Sequence, residues 1–136
     1  MEMRLTPVCH VIDIASPGEE ESLRLSAGAR VIRLDRLRYD GGTFRTFERS
    51  VLALHRVSGI PVDRVLHLTL PEIAKVFGLE LGKATERLCI APAPPAVARH
   101  LAVSPTQDLL QINRVTTTVD EAPIEWCVVY AMEMAS

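Results

Sequence analysis

RVIRLDRLRYDGGTFRTFERSVLAL, residues 30–54, decides the fold. Two β-branched, alternating runs flank Asp40-Gly41-Gly42, whose backbones reach positive φ cheaply, so the stretch reads as a β-hairpin. Strand side chains alternate between faces. Arg30, Ile32, Leu34, Arg36 and Arg38 therefore share one face, and Thr46, Glu48, Ser50, Leu52 and Leu54 share one on the partner strand. Each face is part apolar and part charged, whereas a strand that only covers a core keeps its charges on the other side. Arg36 and Arg38 stand side by side, an arrangement that asks for an anion between them: Glu48, or a bound phosphate or carboxylate. The plainer reading is a solvated edge on which two arginines snorkel.

The chain has 136 residues, 48% of them hydrophobic, which suits one domain (1–136) with a real core. A formal charge of −2 and no Lys/Arg tract give no basic field for nucleic acid. No apolar run approaches membrane-spanning length and the N-terminus has no signal-peptide core, so a cytoplasmic protein is expected. Cys9, Cys89 and Cys127 are odd in number and widely spaced, as expected of reduced, buried thiols. His10, His55, His67 and His100 show no metal-ligand spacing, and neither metal nor cofactor is expected.

Outward from the hairpin, Val8 to Ile14 alternates as a first strand. Ser16-Pro17-Gly18-Glu19 opens a helix with a capping box, running to about Ser26. Ser58-Gly59-Ile60-Pro61 is loop chemistry, a candidate lining or cover for a site. Thr69-Leu70-Pro71-Glu72 starts a second capped helix, which Gly78 ends. Leu81 to Ile90 reads as a strand, Pro95 to Val103 as a helix, and Leu109–Val119 with Ile124–Met132 as a second hairpin about Asp120–Pro123.

The two hairpins repeat one text. Leu23-x-Leu25-Ser26 matches Leu101-x-Val103-Ser104 at an offset of 78, which also takes Val31-Ile32 to Leu109-Leu110 and Arg36 to Arg114. The returning strands match at an offset of 77, Glu48-x-Ser50 against Glu125-x-Cys127. Pseudo-twofold halves follow, so the face of Arg36 and Arg38 should have a counterpart holding Arg114 and Thr116. Apolar floors (Ile32, Leu34; Leu110, Ile112) running into charged ends describe a cavity, with Glu48 and Glu125 as internal partners for the arginines. Two structural Arg-Glu pairs are the plainer alternative.

Arg36-Leu37-Arg38 then Asp40-Gly41, Glu48-Arg49-Ser50-Val51-Leu52, Phe77-Gly78-Leu79-Glu80-Leu81 and the stretch from Leu101 to Glu125 together resemble the UTRA domain, the effector-binding half of HutC-type regulators in the GntR family. The resemblance covers about Leu5 to Tyr130. It implies an α+β fold like that of chorismate lyase: a mainly antiparallel sheet, short flanking helices, internal duplication. It also implies a homodimer that senses a small phosphate- or carboxylate-bearing effector and touches DNA only through a winged helix, which the seven residues before Val8 cannot hold. Carried over, the ligand-binding set is Arg36, Arg38, Glu48, Ser50, Arg114, Thr116 and Glu125. The arginines would grip the anion, and the two glutamates would meet amine or hydroxyl groups. Ala84 stands where the family often has a serine, and Tyr130, five residues after Glu125, faces away from it. The rival functions are a chorismate-lyase-like enzyme and a ligand-free dimerisation module. The enzyme needs a glutamate with a raised pKa, and a neighbouring arginine is expected to lower it.

Overall fold

The computed structural model describes residues 4–39 and 44–133. Six strands form one antiparallel sheet: β1 (Arg4–Ile14), β2 (Arg30–Tyr39), β3 (Phe44–Ala53), β4 (Leu81–Pro92), β5 (Asp108–Thr118) and β6 (Pro123–Glu133), in the spatial order β1-β2-β3-β6-β5-β4. Helices α1 (Pro17–Leu23), α2 (Leu54–Val57), α3 (Val62–Val65), α4 (Leu70–Val76) and α5 (Pro95–Leu101) join them. The α+β, mainly antiparallel class expected from the sequence is the one observed. The turn at Asp40-Gly41-Gly42 lies outside the described residues. Its flanking strands pair as Ile32↔Leu52, Leu34↔Ser50, Arg36↔Glu48 and Arg38↔Thr46, the faces expected from the alternation.

The order of strands makes the duplication visible. Strands β1-β2-β3 and β4-β5-β6 are two three-stranded halves joined at β3·β6, where Leu52↔Glu125 and Thr46↔Ala131 are related pairs. Helix α5 lies 78 residues after α1, and each ends on a left-handed residue, Arg24 (φ 50°) and Ala102 (φ 58°). The first strand belongs to the repeat as well, since Ile12↔Ile32 corresponds to Ile90↔Leu110. One expectation is corrected. Arg36 faces Glu48 across its hairpin, but Arg114 faces Cys127 and Thr116 faces Glu125, so the returning strands correspond at 79 rather than 77. A slip of two residues leaves every side chain on its original face, and alternation alone therefore cannot detect it.

Helices α2 to α4 cover the front face of the first half, where Ile32, Leu34, Leu52, Val57, Val65, Ile73 and Ile124 form a core. Helix α5 covers the back face at one end with Phe47, Val97, Leu101 and Tyr130, and α1 covers the other end with Leu23, Val31 and Val51. Helices α2 and α3 are single turns on either side of the loop at Ser58 to Pro61, too short for a periodic signal. Helix α1 stops at Leu23 rather than near Ser26, and β4 runs on through Pro92, beyond Ile90. Cys127 is buried as expected, but Cys9 and Cys89 are exposed because both sit on edge strands.

Both capping boxes form. In α1, Ser16 Oγ accepts from the Glu19 amide at 3.2 Å and Glu19 Oε1 accepts from the Ser16 amide at 2.8 Å. The same carboxylate takes two hydrogen bonds from Arg33 of β2, at 2.7 and 2.8 Å, tying helix to sheet. Those bonds, helped by the Ser16 amide, hold Glu19 below its ordinary 4.5 against a burial effect of opposite sign. Its contribution is thus present above pH 4.5 and fades as acid protonates the folded carboxylate. Glu19→Gln is expected to lose about 1–2 kcal/mol at neutral pH, and the gap to the parent should close in acid, as paired urea melts will show. Ala102 pays for its left-handed turn without the freedom of glycine, so Ala102→Gly should gain about 1 kcal/mol in the same assay.

Candidate functional site

The front face carries apolar side chains at one end of each inner strand and polar ones at the other. At the polar end of the first half, Arg36 is 1% exposed. Its Nη1 donates to the carbonyls of Leu66 (3.1 Å) and Leu68 (2.6 Å), the chain between α3 and α4. Its Nη2 lies 3.9 Å from Glu48 Oε2, while Arg38 Nη2 meets Glu48 Oε1 at 3.1 Å. Glu48 is therefore the anion shared by the two arginines. Arg36 binds the overlying chain to the sheet, and Arg38, about one-third exposed, stands at the rim.

The second half is built differently. Arg114 makes no ion pair among the described residues. Glu125, 3% exposed, takes its hydrogen bond from Ser50 Oγ (2.5 Å) on the first half. The expected second Arg-Glu pair is absent, and the reason is the two-residue slip: Glu125 stands across from Thr116, not from Arg114. Arg114 and Arg36 do lower this carboxyl, as expected of neighbouring arginines, but they are outweighed. Burial pushes Glu125 up, and Ser50 and Arg114 only partly oppose it.

These groups surround a cavity of about 400 Å³ lined by Arg36, Arg38, Glu48, Arg114, Thr116 and Glu125. Thr69, Leu70 and Pro71 at the start of α4, with Leu81 and Ala84 of β4, complete the wall. Six of the seven residues singled out from the sequence are thus brought together; Ser50 is not in this wall and is joined to it only by its bond to Glu125. Sequence reasoning found Thr69 and Pro71 as helix punctuation without placing them here. The loop named as a candidate lining or cover, Ser58 to Pro61, is not in this wall; Ile60 packs on the apolar core. Tyr130 points to the back face, as its spacing from Glu125 required.

A second cavity, of about 370 Å³, lies on the back face among Val11, Val51, Trp126 and Val128, rimmed by Glu19-Arg33 and Asp35-Arg49. Unmet hydrogen-bonding capacity separates the two. Arg36 Nε, Arg38 Nε, Thr46 Oγ1 and Glu125 Oε1 are buried without a partner among the described residues; all four belong to the front face, and three of them to residues lining its cavity. Buried polar atoms are normally satisfied, so a cluster of orphans marks where a ligand's polar atoms fit. Among the described residues, no three His, Cys, Asp or Glu side chains are grouped to hold a metal ion, and no helix is long and apolar enough to cross a membrane.

Solved structures similar to this one share its fold at low sequence identity. The effector domain of PhnF from Mycobacterium smegmatis superposes with a TM-score of 0.83 at 18% identity, covering 98% of this chain and 82% of that one. A GntR-family transcriptional regulator from Enterococcus faecalis V583 gives 0.83 at 18%, covering 93% and 91%. YydK of Bacillus subtilis, a possible transcriptional regulator, gives 0.82 at 18% over 94% of this chain, which spans 57% of the length of YydK. The family model of the UTRA domain matches residues 2–132, nearly the whole sequence, and the chain belongs to the UTRA domain family.

Proposed function

We propose that the front-face cavity binds a small anionic metabolite and that the domain reports its occupancy to an attached winged-helix DNA-binding domain. The observation that carries this reading is the set of three orphaned polar atoms, Arg36 Nε, Arg38 Nε and Glu125 Oε1, on residues that line a space walled by three arginines. Three guanidinium groups face Glu48 and a carboxyl whose ionisation burial opposes, so the cavity is net positive and suits a phosphate or carboxylate. Arg38 and Arg114 grip the anion, Arg36 positions the wall, and Ser50, Thr116, Glu48 and Glu125 complete the set. Transmission is a population shift: the ligand changes DNA affinity by its differential binding to two arrangements of a homodimer in the cytoplasm.

The test is a thermal-shift screen of the purified chain against phosphorylated sugars, amino acids, fatty acids and urocanate-like acids. A cognate anion at a hundred times its Kd adds about 2.7 kcal/mol, a rise of several degrees. Silence across all four classes overturns the sensor reading and favours a ligand-free scaffold. The raised pKa of Glu125 is the one observation that speaks for a chorismate-lyase-like acid. On the proposed reading the domain is no enzyme, and incubation with chorismate is expected to release no pyruvate.

A further inference from the structure

Glu125 is a buried acid with no cation in contact among the described residues. Ser50 Oγ donates to Oε2, Oε1 has no partner, and no Lys, Arg or His among the described residues lies within 4.0 Å of it. Every charged group near it is committed or unhelpful. On β2, Arg36 is held by two carbonyls and Glu48. On β3, Glu48 sits between two arginines and repels a second anion. On β5, Arg114 attracts from beyond contact, and on β4 Glu86 stands across from Arg114. On β6, the Cys127 thiol is pushed up by burial and is neutral. Thr69, Leu70 and Pro71 above the cavity bring no charge. A buried, unpaired carboxylate facing another carboxylate relieves its desolvation by taking a proton.

We infer that Glu125 is protonated at neutral pH and that its Oε1 hydroxyl is a donor aimed into the cavity, so that the ligand is an oxyanion bearing a hydrogen-bond acceptor at that end: a 2-oxo acid rather than an amino acid. The inference rests on reading this cavity as the effector site. The other orphans in the wall agree with it, because Arg36 Nε and Arg38 Nε only donate. With Glu125 protonated, all three unmet atoms in the wall donate, and a ligand rich in acceptors satisfies them. An ammonium at the same place would join three guanidinium groups and find Glu48 already taken. Of the amine and hydroxyl groups expected to meet Glu125, only those that accept a hydrogen bond remain.

Proton linkage supplies the test. Glu125 is raised above its ordinary 4.5, so the folded state holds its proton more tightly, and the stability this gives is lost as pH climbs from 4.5 through the folded value. Ligand affinity should fall over the same climb. The full chain, labelled with carboxyl-13C glutamate, is titrated by NMR, with Glu125→Gln to assign the resonance. In parallel, 2-oxoglutarate is compared with L-glutamate, and pyruvate with L-alanine, by calorimetry on either side of neutral pH. Glu125 is expected to titrate above the ordinary carboxylate range, the 2-oxo acids to bind about tenfold or more tighter than their amino counterparts, and Glu125→Gln to keep that preference with a flat pH profile. An ordinary titration, or preference for the amino partners, overturns the inference while leaving the cavity as the effector site. Silence from all four compounds together with the broader anion screen removes the effector reading and this inference with it. If Glu125→Gln does not fold, the infrared stretch of a protonated carboxyl in the parent at neutral pH, shifted by the label, decides the proton assignment alone.

Discussion

Arg36→Ala is expected to destabilise the domain by about 3–5 kcal/mol, because it removes one member of a buried charge cluster and strands the rest. Glu48, 5% exposed, keeps only the rim arginine, and the carbonyls of Leu66 and Leu68 lose their donor. In a chain of 136 residues that loss lowers the melting temperature by roughly 10–20 °C. The damage should be local first: amides of the chain between α3 and α4 are expected to lose exchange protection ahead of the sheet. Arg36→Met keeps the stem volume but not the donors and should recover only a minor part. A melting temperature within about 3 °C of the parent for both variants would show that Arg36 does not pin that chain.

Arg38→Ala should do the opposite, sparing the fold and abolishing the response to ligand. Its ion pair with Glu48 is partly exposed, so the stability change stays within about 1 kcal/mol. A charge-assisted contact to an anion is worth about 2–3 kcal/mol, so affinity for the best anion from the screen falls roughly 30- to 150-fold. At fixed ligand concentration this erases the thermal shift. An unchanged shift in Arg38→Ala sinks the assignment of the anion to this cavity. Together the two variants separate an arginine that holds the wall from one that meets the solute, although both share one strand and one face.

The fold was legible where a decision is local. Ser16 with Glu19 and Thr69 with Glu72 mark helix starts through side chains three residues apart, and both boxes form as read. Alternation placed Arg36, Arg38, Glu48 and Glu125 on one face because a strand has only two. The lost details depend on which residues end up opposite. Glu125 was matched to Glu48, while in the sheet its counterpart is Thr46, since a repeat with one altered turn can be aligned at 77 or 79 without exchanging faces. That ambiguity hid the missing cation beside Glu125, and with it the raised pKa. The Leu66 and Leu68 carbonyls that fix Arg36 leave no trace in residue types at all, and the single turns α2 and α3 are shorter than any periodic window.

Glu48 has one negative charge and two claimants. A solute anion that draws the Arg38 head group toward itself loosens the 3.1 Å contact and leaves the carboxylate to Arg36, now 3.9 Å away. The inner pair is then expected to tighten at Nη2 while Nη1 keeps the Leu66 and Leu68 carbonyls. A single acid would thus couple the filling of the chamber to the arginine that holds its roof.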